Sequence, residues 1–155
     1  HDMDASPLFP RFEVPLYGQS HFAADAALTA MLLEAASAYC AGAEGQLGAE
    51  KVARFGLQQV RAHHGLLVAG DRFVATAAES HALRNALPGV LAVDMESAAV
   101  AQVCFDYHIP FAAVRTISDR ADDAAHVDFP LFLAQLAAPY AQGIMVKFLQ
   151  LLLKK

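Results

Sequence analysis

The stretch His64-Gly65-Leu66-Leu67-Val68-Ala69-Gly70-Asp71, followed along the chain by Val90-Leu91-Ala92-Val93-Asp94, decides the fold class. Each is a short, continuous apolar run closed by glycine or a carboxylate, the pattern of a strand covered on both faces. Between them Thr76 opens a helical stretch to about Leu87, with Glu79 completing a capping box and Pro88-Gly89 as the stop. After the second run, Met95 to Tyr107 places Ala98, Val100, Ala101, Cys104 and Tyr107 at helical spacing, and His108-Ile109-Pro110 ends that helix. Phe111 to Ile117 reads as a third buried strand, interrupted by Arg115, whose charge needs a partner if it is buried. Strands alternating with helices pair in parallel through crossovers, so the expected class is α/β, with helices on both faces of the sheet.

On the amino-terminal side, Leu28, Met31, Leu32, Ala35, Ala36 and Tyr39 recur every three or four residues and predict a helix from Phe22 to about Ala43. Residues 44 to 64 contain Val52, Phe55, Leu57 and Val60 and stay open between helix and strand. Pro7, Pro10, Pro15 and Gly18 predict an irregular loop over residues 1 to 20. On the carboxyl side, Phe129 to Leu153 predicts a long helix jogged at Pro139 and Gly143.

The chain has 155 residues, of which 56% are hydrophobic and 17% charged, well outside the composition of disordered chains. One domain over residues 1–155 is expected. Two cysteines, Cys40 and Cys104, sit in apolar helical contexts and read as buried free thiols, which fits a reducing cytoplasm. A net charge of −5, with no basic cluster beyond Lys154-Lys155, argues against nucleic acid. Apolar runs such as Phe22 to Ala43 are interrupted by Asp25 and Glu34, so no membrane span is expected. The opening His1-Asp2-Met3-Asp4 is not a signal peptide in pattern. His63-His64 and His81 have no cysteine or carboxylate at ligand spacing, Asp122-Asp123 with His126 reads as a solvated loop, and no metal or cofactor is expected.

In open α/β sheets ligands bind beyond the carboxyl ends of the strands. Three polar clusters stand there: Asp71 to Val74, Asp94 to Ser97, and Ser118 to Asp123. Their convergence on one site is the leading expectation.

The segments Val68-Ala69-Gly70-Asp71-Arg72-Phe73, Val93-Asp94-Met95-Glu96-Ser97-Ala98-Ala99-Val100-Ala101 and Val114-Arg115-Thr116-Ile117-Ser118-Asp119, in this order, closely resemble the 5′-methylthioadenosine/S-adenosylhomocysteine nucleosidases of the nucleoside phosphorylase and nucleosidase superfamily. The opening His1 to Ala5 and the tail Asp128 to Leu133 fit the same family. The resemblance implies a three-layer sandwich around a mostly parallel twisted sheet, here without the family's amino-terminal strands, and hydrolysis of a purine N-glycosidic bond.

Breaking that bond develops cationic character on the ribose while the purine leaves as an anion unless it is protonated, so an acid is required at N7. Asp119, beside Ser118 at a strand's carboxyl end, fits the part; on spacing alone it serves equally as a turn cap, and the resemblance assigns it the acid role. Glu96 can accept two hydrogen bonds from the vicinal 2′- and 3′-hydroxyls of a ribose. Arg115 could hold Glu96, support the water site, or form a plain ion pair for which Asp94 is also eligible. Met95 is expected under the sugar or in the core. Phe73 and the backbone of Val74 match the family's base platform, and Phe129 its 5′-substituent pocket. In the family that pocket is completed by a loop of a second subunit, which maps to Leu8 and Pro15, so a homodimer is implied. Leu8 stands where an aromatic is often found, which leaves the 5′-substituent open.

Relatives carry further sequence at the amino end, including the glutamate that activates water. The chain is therefore expected to supply leaving-group acid, sugar clamp and base platform without turning over by itself. A phosphorolytic enzyme and a non-catalytic nucleoside-binding protein are the competing readings.

Overall fold

The computed structural model describes residues 8–119 and 125–154, with backbone alone at 125–128. Helix α1, Ala26–Ala41, starts later than the periodicity predicts because Asp25 caps it, its carboxylate accepting the Leu28 amide at 2.8 Å. The undecided stretch is helical: α2, Ala43–Leu47, and α3, Ala49–Arg54, precede a 3₁₀ turn, Leu57–Gln59. Gly48 separates the two short helices at φ 85°, a backbone that favours glycine.

Helix α6, Ala125–Phe132, runs through a π-helical turn, Leu133–Ala137, into α7, Ala138–Leu152. The predicted jog is therefore this turn, just ahead of Pro139. Proline has no amide hydrogen to return to the preceding turn and its ring crowds that turn, and a widened turn accommodates both. The main core lies between helices. Ala35, Ala36 and Tyr39 of α1 meet Leu136, Tyr140 and Ile144, with Ala43, Leu47 and Val52 closing the cluster. Burial pushes the Tyr140 hydroxyl up to about 12. The segment Phe129–Leu152 has the length and apolarity to cross a membrane, against the expectation from the sequence that no run does. It turns Tyr140 and Ile144 against α1 and leaves Leu133, Val146 and Leu149 exposed.

Strands β1, Leu66–Ala69, and β2, Val90–Asp94, pair in parallel with Leu67 opposite Ala92 and Ala69 opposite Asp94. The α/β class and the parallel pairing match the sequence reading. Two expectations are corrected. Residues 111 to 117 join no strand among the described residues; a backbone bond ties the segment to the start of α1, the Phe111 carbonyl accepting the Asp25 amide at 2.6 Å. Nor are β1 and β2 covered on both faces, since Leu66 and Leu91 are exposed. An apolar run records that a segment prefers to be covered, but the pairing and the covering layer must come from other elements.

Between the strands lies α4, Ala77–Ala86, capped as predicted: the Thr76 hydroxyl accepts the Glu79 amide at 3.2 Å and donates to the Glu79 carboxylate at 2.9 Å. The Thr76 hydroxyl, then the Ala75 amide, hold the Glu79 carboxyl below its usual range, and Arg72 adds a smaller contribution. A lowered carboxyl stabilises the fold above its unfolded value and loses that contribution as pH falls through the lowered one. Glu79→Gln should therefore lower the melting temperature at about pH 6, and the gap to the unaltered protein should close towards about pH 3. Thermal melts across that range check it; a gap that is constant with pH contradicts it.

Helix α5, Ser97–Asp106, follows β2. The loop ahead of α1 leans on it: the Tyr17 hydroxyl donates to the Asp106 carboxylate at 2.7 Å and accepts from the Gln102 amide at 3.2 Å, and the Tyr17 ring meets Phe22 and Phe105 edge to face.

Candidate functional site

Strand β2 ends in a carboxylate and the chain then turns sharply into α5. Helix starts leave amide hydrogens without partners, and Asp94 supplies one: its Oδ1 accepts the Ser97 amide at 3.1 Å and the Ser97 hydroxyl at 2.7 Å. Glu96, at the N-cap position, makes no side-chain cap bond. Its carboxylate is left to face outward, 67% exposed. Met95 and Glu96 are thus part of the turn rather than the first turn of the helix.

Arg115 joins this turn to the segment running towards Ser118. Its Nε lies 3.2 Å from Asp94 Oδ2 and its Nη2 3.5 Å from Glu96 Oε2. Of the partners the sequence left open, both carboxylates are therefore used. At the end of the segment the Ser118 hydroxyl donates to Asp119 Oδ2 at 2.6 Å. Phe73, following β1, meets Phe129 edge to face at 5.9 Å between ring centres.

These groups border one cleft of about 690 Å³. Phe73 and Val74 come from the end of β1, Met95 and Glu96 from the end of β2, Arg115, Ser118 and Asp119 from the third segment, and Phe129 from α6. The three polar clusters do converge, although residues 120 to 123 of the last one lie outside the described residues; His126, read from the sequence as part of a loop, has its backbone in the first turn of α6. The volume suits a ligand of nucleoside size, and the walls carry the mixture of apolar surface and few polar groups that orients small molecules. A second, more apolar groove of about 820 Å³ shares Arg115 to Asp119 and extends past Leu91 to Tyr140.

Leu8 and Pro15 are not at this cleft. Leu8 is 95% exposed, and Pro15 stands in the turn closed by the Val14–Gln19 bridge. Arg72, from the Asp71 to Val74 cluster, also lines the cleft, as do Ser80 and Arg84 of α4, which the sequence reading leaves out. The i, i+4 spacing of Ser80 and Arg84 on the helix that leaves β1 was the available signal.

The family model described as the phosphorylase superfamily matches residues 1–150. A 5′-methylthioadenosine/S-adenosylhomocysteine nucleosidase of Staphylococcus aureus is 37% identical over 87 residues, 56% of this chain and 38% of that protein. The solved nucleosidase of Neisseria meningitidis in complex with methylthio-immucillin-A is 33% identical and superposes with a TM-score of 0.64 over 88% of this chain and 51% of its own. The Streptococcus pneumoniae MTA/SAH nucleosidase in complex with 8-aminoadenine is 28% identical, with a TM-score of 0.65 over 86% of this chain and 49% of its own. The chain therefore spans about half the length of these solved relatives. With nearly its whole length matched, a parallel α/β core and a cleft at the strand ends, the chain belongs to the phosphorylase superfamily.

Proposed function

We propose that these residues form the leaving-group and sugar side of a purine nucleosidase acting on 5′-methylthioadenosine and S-adenosylhomocysteine. The observation that carries this reading is the shared cleft: Asp119, held by Ser118, and Glu96, held by Arg115, border one space of nucleoside size. Asp119 donates a proton to N7 as the bond from C1′ to N9 breaks, so adenine departs neutral. Water adds to C1′ and yields the thioribose. Glu96 accepts the 2′- and 3′-hydroxyls, Met95 lies beneath the sugar, Phe73 stacks on the base while the Val74 backbone reads its edge, and Phe129 faces the 5′-substituent. A second copy completes the cleft with its Leu8 and Pro15 loop, for which the exposed apolar side chains of Leu8 and Leu16 give support. A cytoplasmic setting and a single domain over 1–155 complete the reading, with water activation supplied by the part of the family fold this chain does not span.

The test is adenine release from methylthioadenosine, with and without phosphate. It is run on the chain alone and on a hybrid joining it to the amino-terminal half of the Neisseria nucleosidase. The chain alone should be silent and the hybrid should turn over without phosphate. Turnover that requires phosphate moves the assignment to a phosphorylase. A folded hybrid that binds the nucleoside and releases nothing marks a binding protein.

A further inference from the structure

The Asp94 side chain is 2% exposed, the one charged residue in the buried class among those described. A buried carboxylate is costly unless it is paired, and breaking its pair leaves that cost uncompensated. Its two oxygens are used differently. Oδ1 takes both Ser97 donors and fixes the start of α5. Oδ2 accepts no hydrogen bond and instead faces Arg115 Nε at 3.2 Å as a charge contact. With Nε committed to this anchor, the outer nitrogen Nη2 of the same rigid guanidinium lies 3.5 Å from Glu96.

We propose that Asp94 is a positioning residue: by anchoring Arg115 from below, it sets the side chain of Glu96 against the vicinal hydroxyls of a bound nucleoside. This deepens, and rests on, the reading of Glu96 as the sugar clamp. Glu96 is largely in solvent and makes no cap bond, so the pull of Arg115 is the restraint the structure gives it. Arg115, half exposed, would swing freely without the buried anion behind it. Asp94 borders the cleft, but with its side chain 2% exposed it acts through the guanidinium. A side chain at the end of β2 thus ties together the start of α5, the segment leading to Asp119, and the clamp.

The test uses the chain, methylthioadenosine and its 2′,3′-dideoxy counterpart, with affinities from calorimetry and the Arg115 Nε resonance from NMR. The unaltered chain should prefer the ribonucleoside by about tenfold or more, the worth of one or two hydrogen bonds to a charged group. Asp94→Asn keeps the shape and the Ser97 contacts, and should cut that preference to within about threefold and shift or broaden the Arg115 resonance. Ser97→Ala, which loosens α5 without touching Arg115, should leave both unchanged. Preference retained in Asp94→Asn overturns the proposal and leaves the clamp standing. Equal loss in Ser97→Ala also overturns it, by showing that Asp94 acts only through the helix start. An unaltered chain that does not distinguish the two nucleosides overturns the clamp reading itself, and the Arg115 resonance then reports separately whether Asp94 anchors the guanidinium.

Discussion

Asp119→Asn is expected to lower adenine release from methylthioadenosine by about 10²–10⁴-fold in the hybrid enzyme, the range a positioned general acid contributes. Asparagine keeps the shape and can still donate a hydrogen bond to N7, but it cannot deliver a proton as the C1′–N9 bond breaks. The loss should therefore fall on kcat, with KM changed only a few-fold. Ser118→Ala removes the 2.6 Å bond that orients the carboxyl and should cost on the order of tenfold. Steady-state kinetics with adenine detection decides it, alongside circular dichroism to show that each variant folds. A rate within threefold of the unaltered hybrid would exclude Asp119 as the acid. A tenfold rise in KM at constant kcat would instead make it a binding group.

What could be read in the sequence divides along physical lines. Local signals were reliable where the interaction itself is local. The Thr76 and Glu79 box and the parallel run of β1 and β2 on either side of it stand where the residues placed them. The neighbourhood of the clusters after β1 and β2 follows from the rule that crossovers put strand ends on one side, whereas Ser118 and Asp119 reach the same cleft from a segment that is not a strand. Contacts between distant residues were not legible. Nothing in the run Phe111 to Ile117 tells whether a neighbouring strand exists to pair with it, and Ile117 is 61% exposed. Asp94 looked like one of two possible partners for Arg115, because sequence cannot show that a guanidinium reaches two carboxylates at once. The open stretch 44–64 has no single period because it holds three short helical pieces separated by glycines.

The largest stability effect is expected where α1 crosses α7. The Tyr39 ring is almost fully buried and lies directly over Gly143, where a Cβ would sit 1.9 Å from the ring. Glycine thus stands in the middle of a helix, at a conformational cost of about 0.5–1 kcal/mol relative to alanine, because the ring takes the space a methyl group would need. Gly143→Ala should therefore destabilise rather than gain from helix propensity, by roughly 1–3 kcal/mol of overpacking. Tyr39→Ala opens a cavity at the centre of the core and should cost roughly 3–5 kcal/mol. The two changes are complementary in volume: once the ring is gone, the new methyl group at 143 fills part of the void and regains the helix propensity. The double variant should accordingly be more stable than Tyr39→Ala alone, with a coupling of about 0.5–3 kcal/mol. Urea unfolding of the four proteins in the cycle measures this directly. Strict additivity, or a Gly143→Ala variant as stable as the unaltered chain, would mean that the two helices do not meet at this point.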